Sequence, residues 1–106
     1  GGTGALAVAS GQAAITYASE ADLLNVALFG LTAKQWRDGN AGLEGNMRDY
    51  ATIEQLLVLA NLESMNAEFI HMGLAQAERL KRLNATAIRQ MQVLTSDVVL
   101  RQLREA

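Results

Sequence analysis

The sequence predicts an all-α fold, and three features carry that expectation. Apolar segments are bracketed by helical start and stop signals, no proline occurs in 106 residues, and apolar residues recur at helical spacing without an alternation of Val, Ile and Thr. Half of the residues are apolar but only 5% are aromatic, and Ala, Leu, Gln, Glu and Arg are abundant, so a sheet would have few strands to use. A chain of this length closes one hydrophobic core and not two. The expected architecture is a compact bundle of four to five helices around a central helix at about 53–72, preceded by a linker or flexible N-terminal arm over residues 1–16. Residues 17–106 then form a single helical domain.

The elements follow in order. Gly1 to Gly11, GGTGALAVASG, has four glycines and little to pack, which reads as a linker, a frayed end or a cloning remnant. The mildly apolar QAAITY stretch, Gln12 to Tyr17, either leads into the first helix or docks as an extended arm. Ser19 is an N-cap with Asp22 as an imperfect capping-box partner, and the helix runs through Leu23, Leu24, Val26, Ala27, Leu28 and Phe29 to Gly30. Because it is apolar nearly all round, it must be covered on most sides, by the central helix and by a second copy of the protein. Leu24, Leu28 and Phe29, with Trp36, are therefore the candidate interaction surface.

Thr32 and Gln35 repeat the capping-box spacing and open a short helix holding Lys34, Trp36 and Arg37, which is spent by Gly39 and Asn40. DGNAGLEGN, Asp38 to Asn46, is the clear internal loop, with Leu43 expected to pin it to the body. Thr52 with Gln55 caps the central helix, and Gly73 stands where a left-handed C′ residue is wanted. At about 100° per residue, this helix has two apolar arcs. One holds Val58, Leu62, Met65, Phe69 and Met72; the other holds Leu56, Leu59, Ala60, Ala67 and Ile70. It should be sandwiched between the segments before and after it. The following helix, Leu74 to Leu94, sets Ala77, Leu80, Leu83, Ala87, Ile88, Met91 and Leu94 on one face and Arg79, Arg82 and Arg89 on the other. Thr95, Ser96 and Asp97 offer caps for a last amphipathic turn or two, with Val98, Val99, Leu100 and Leu103 against Arg101, Arg104 and Glu105.

Few residues point to chemistry. Glu63 falls on an apolar arc, and a buried carboxylate needs a partner; Arg37 and Arg48, each just before the central helix, are the candidates for a structural ion pair. A catalytic reading would have only Glu63, Asn66 and His71 to use, with no nucleophile at useful spacing. Glu68 and His71 lie one turn apart on a polar stripe but lack further ligands, so neither metal nor cofactor is expected. Met47, Met65, Met72 and Met91 are core filler. Without cysteine there are no disulfides, thiol nucleophiles or thiolate metal sites. A net charge of −2 gives no global attraction to nucleic acid, so any such contact would be local, through Arg79, Arg82 and Arg89 with Lys34 and Arg37. No glycine-rich phosphate loop, serine elbow or zinc spacing occurs. No apolar run approaches a bilayer span and no signal peptide is evident, so a soluble cytoplasmic protein is expected.

Three ordered blocks, YASEADLLNVALFGLTAKQWR, GNMRDYATIEQLLVLANLESMNAEFI and GLAQAERLKRLNATAIRQMQVL, resemble the C-terminal region of bacterial KilA-N domain-containing proteins, which occur in phage and mobile-element settings. The resemblance covers Tyr17 to about Leu94. It implies a module that follows an N-terminal KilA-N domain, to which that family's DNA binding belongs and which is not among these residues. Family members commonly carry Asn-Pro where this chain has Asn40-Ala41, so the loop departs from the pattern. The function expected is a non-catalytic helical interaction or oligomerisation module of such a DNA-binding protein. It would be a homo-oligomer, with DNA as a partner only through the missing domain and no membrane partner. The alternatives are an accessory nucleic-acid-binding module using Arg79, Arg82 and Arg89 and, third, a small enzyme.

Overall fold

The computed structural model describes residues 5–9, 11, 15–96, 102, 104 and 105. Among them run helix α1, Glu20–Phe29, helix α2, Ala33–Gly39, a 3-10 turn at Met47–Tyr50, helix α3, Ile53–His71, and helix α4, Gln76–Leu94. The fold is an all-α bundle with no strand among the described residues. Of the expected turns after Asp97, Val98, Val99, Leu100, Arg101 and Leu103 lie outside the described residues, as do Gln12, Ala13 and Ala14 of QAAITY.

Local chemistry sets the helix boundaries. The Ser19 hydroxyl accepts the Asp22 amide at the start of α1. At α2 and α3 full capping boxes form: Thr32 with Gln35 and Thr52 with Gln55, each exchanging two bonds. The 3-10 turn has a third box, between Asn46, the last residue of the expected loop, and Asp49. Gly30 and Gly73 end α1 and α3 with φ of 78° and 79°, where a residue with a side chain would be strained. At Gly73 the amides of Gly73 and Leu74 return to the Ile70 and Phe69 carbonyls, the paired bonds of a Schellman stop.

The long helices α1, α3 and α4 pack against one another, α4 most extensively on the other two. Leu23, Val26 and Ala27 of α1, Val58 and Leu62 of α3, and Leu80, Leu83, Ala87 and Met91 of α4 meet in one core. Leu24 and Leu28, expected at an interaction surface, are 6% and 4% exposed. The apolar circumference of α1 is thus covered within the chain, because α3 and α4 both lie on it and Ala5, Val8 and Tyr17 pack against the same core. Phe29 packs there as well. The short α2 rests on the 3-10 turn, where Trp36 and Tyr50 hold their ring centroids 5.3 Å apart. Met47, buried, anchors this region; Leu43, given that role from the sequence, is half exposed.

The N-terminal arm departs from expectation. Where a linker was predicted, the Asn84 amide on α4 accepts from Val8 N–H at 2.9 Å and donates to the Leu6 carbonyl at 2.7 Å and the Ala27 carbonyl at 2.9 Å. Gln76 treats Tyr17 in the same way, accepting from its N–H at 2.8 Å and donating to its carbonyl at 2.9 Å. Two side-chain amides on α4 thus supply backbone partners at Leu6, Val8 and Tyr17. The Ala27 bond also serves one of the carbonyls left open at the end of α1. The Asn84→Ala variant should lower unfolding stability by about 1–2 kcal/mol, since it leaves the buried Ala27 carbonyl and the part-buried Val8 amide without this partner. Thermal or urea unfolding checks this, and an unchanged midpoint would show that the arm contributes nothing.

Candidate interaction surface

The polar residues divide into those used to hold the bundle and those left on its outside. Glu20, in the first turn of α1, is the centre of the first group. Its Oε1 accepts from Arg79 Nη1 at 3.0 Å and Asn66 Nδ2 at 2.9 Å, and its Oε2 from Arg79 Nη2 at 3.3 Å and Gln76 Nε2 at 3.2 Å. Arg79 Nε donates to the Leu74 carbonyl at 3.2 Å. The side chain of Arg79 is only 7% exposed against 42% for Glu20, so the guanidinium is desolvated with all three of its nitrogens engaged, while the carboxylate keeps contact with water. Beside this cluster, burial pushes the Tyr17 phenol up from its ordinary value, with the Asp22 carboxylate adding to the shift.

This arrangement corrects the basic-stripe reading. Arg79 is buried, because α4 lies between α1 and α3 and its covered arc is wider than one stripe. Arg82 pairs with Glu78 at 2.9 Å and lies over the Phe69 ring. Arg89 donates to Thr86 and is exposed, as is Lys34 on α2. No continuous cationic face joins these four. Asn66, one of the three residues open to a catalytic reading, is also committed to Glu20 and 3% exposed.

The ion pair expected at Glu63 forms with Arg48 at 3.4 Å, and Arg37 is exposed elsewhere. It is not the buried clamp the helical placement predicted: its side chains are 41% and 48% exposed. The reason lies in α3. One of its arcs, with Val58, Leu59, Leu62 and Asn66 buried, faces α1 and α4, but the other is left exposed among the described residues. Leu59, counted with that second arc, turns inward; Leu56 and Ile70 remain 42% and 48% exposed, Ile53 73%, and Ala60, Glu63 and Ala67 are exposed between them. Glu68 and His71 stand on the exposed side of the same helix. Among the described residues no group of three or more His, Asp or Glu is placed to hold a metal, and no helix is long and apolar enough to cross a membrane.

Leu57, half exposed, continues this face into a groove of about 590 Å³ between α3 and α4. Val58, Val93 and Leu94 form its apolar walls, with Asn61 and Arg89 at the rim. The face and the groove together are the extended apolar surface that the described chain leaves open.

Comparison with models of known protein families, with curated proteins and with solved structures finds no match to this chain.

Two outcomes follow from the polar cluster. Glu20→Ala strands a buried guanidinium and should cost about 2–3 kcal/mol, whereas Arg79→Met, which fills the same space without charge, should cost less than half as much. Equal losses in urea unfolding would contradict this ordering. With Arg79 committed inside, the 106-residue chain should give no salt-sensitive mobility shift of duplex DNA. A shift abolished by Arg82→Glu and Arg89→Glu together would restore the nucleic-acid reading.

Proposed function

We propose that the chain is a helical interaction module whose principal activity is self-association, serving as the C-terminal part of a KilA-N-type DNA-binding protein. The observation that carries this reading is the uncovered apolar arc of α3, where Ile53, Leu56, Leu57 and Ile70 are each at least 42% exposed. Such residues on one helix face mark a contact surface more often than scattered surface leucines do. The ordered resemblance from Tyr17 to about Leu94 supports the second half of the reading. In that arrangement the module joins copies of the parent, so that their DNA-binding domains act together, and avidity raises DNA affinity without any DNA contact by the module itself.

Light scattering on the purified chain should report about twice 11.4 kDa at tens of micromolar and approach the monomer mass on dilution. The double variant Leu56→Glu, Ile70→Glu should stay monomeric with an unchanged far-UV circular dichroism spectrum. A chain that stays monomeric up to high micromolar concentration overturns self-association. Absence of a KilA-N domain in the coding sequence upstream of Gly1 overturns the assignment of the parent.

A further inference from the structure

We infer that α3 pairs antiparallel with α3 of a second copy, about a two-fold axis that passes between the levels of Ala60 and Glu63, and that Arg48 closes the centre of this seam. The inference rests on the self-association reading and adds to it the surface, the direction and the register. Six of the exposed residues of α3 fall in an interleaved heptad repeat: Ile53, Ala60 and Ala67 stand seven apart, as do Leu56, Glu63 and Ile70. In an antiparallel pair the first set faces the second. Ile53 then meets the second copy's Ile70, Leu56 lies over its Ala67, and Ala60 faces its Glu63. Each longer side chain except the two end isoleucines is met by an alanine, which lets the helix axes approach to the closer end of the usual separation of about 8–10 Å.

A parallel pair is disfavoured by the same residues. It would set Ala60 on Ala60 and Ala67 on Ala67, leaving gaps, and would place the two Glu63 carboxylates directly opposite each other. The antiparallel register offsets them by about 4.5 Å along the axis, at about 1.5 Å per residue. A two-fold axis across the helices also keeps equivalent flanks together. Both Arg48 side chains, which lie beside Glu63 at the edge of the seam, then flank the same side, and each guanidinium reaches both carboxylates. The half-exposed pair becomes a four-charge network shielded from solvent. A glutamate in an apolar repeat is thereby accounted for by the charge that accompanies it.

The seam is one helix wide. A 19-residue helix is about 28 Å long, and one stripe of that length covers less than the roughly 1,200 Å² total of the smaller stable interfaces. The dimer is therefore reversible, forming at micromolar concentration.

The chain contains no cysteine, so single-cysteine variants of the full chain report the pairing without background. Under mild oxidation a mixture of Ile53→Cys and Ile70→Cys should give a disulfide-linked dimer. Ile53→Cys alone should not, because its two copies would stand about 25 Å apart. Ala60→Trp, a change at an exposed position, should raise the dimer dissociation constant at least tenfold with an unchanged circular dichroism spectrum. Glu63→Arg alone should weaken the dimer and Arg48→Glu with Glu63→Arg should recover it. If Ile53→Cys alone links as well as the mixture, the pairing is parallel and the inference fails while self-association stands. If a dimer persists in light scattering but neither sample links, or Ala60→Trp has no effect, another face is used. A monomer at every concentration overturns this pairing and self-association together.

Discussion

The bundle depends on one desolvated cation. Arg79 is carried into the interior by α4, where its neighbours along the helix are Leu80 and Leu83, and an unpaired guanidinium there would cost several kcal/mol. Glu20 and the Leu74 carbonyl supply the compensation, and in doing so they fix relationships among distant segments. The first turn of α1, the third helix through Asn66, the tight turn after Gly73 through the Leu74 carbonyl and the first turn of α4 all meet at the Glu20–Arg79 pair. Glu20 is also placed at the amino end of α1, where the helix dipole favours a negative charge. Because the carboxylate remains partly wet, the cluster avoids the full penalty of burying two ions, and its main effect is to specify which ends of the helices meet.

The same economy appears further along α4. Asn84 is buried on the same helix as Leu80, Leu83, Ala87 and Met91. Its amide binds the arm at Leu6 and Val8 and the end of α1 at Ala27. Two structural tasks are thereby assigned to one side chain, which holds the segment whose Ala5 and Val8 pack against the core.

What was legible in the sequence is what local chemistry decides. Ser19, Thr32 and Thr52 cap where their spacing to Asp22, Gln35 and Gln55 says they should, and Gly30 and Gly73 stop their helices. Of the partners across the fold, the Arg48–Glu63 pair was legible and the Glu20–Arg79 pair was not. Glu20 reads as an ordinary first-turn acid and Arg79 as one member of a surface stripe, and 59 positions separate them. Helical periodicity shows that α3 has two apolar arcs but not which is covered, since that depends on where α1 and α4 dock. The surplus apolar surface was therefore placed on α1, through Leu24 and Leu28, when the structure leaves it on α3. The clue available was size: α1 is 10 residues long and α3 is 19, so the longer helix outruns what the rest of a small chain can cover.

The Arg48–Glu63 pair shows why that uncovered arc matters. As it stands the pair is long, at 3.4 Å, and nearly half exposed on both sides, the class of ion pair that contributes about 0–1 kcal/mol. The chain nevertheless holds Arg48 in place with care, through the Asn46–Asp49 capping box on either side of it and the buried Met47. A carboxylate that interrupts an apolar repeat weakens any contact made by that repeat unless a cation travels with it. Here the cation is supplied by the 3-10 turn that precedes α3. In water that arrangement contributes little; covered by another apolar surface, where the effective dielectric is lower, the same two charges interact several times more strongly. Covering would also cost the hydration of both ions, so the pair would gain worth only where the strengthened attraction and further hydrogen bonds exceed that penalty.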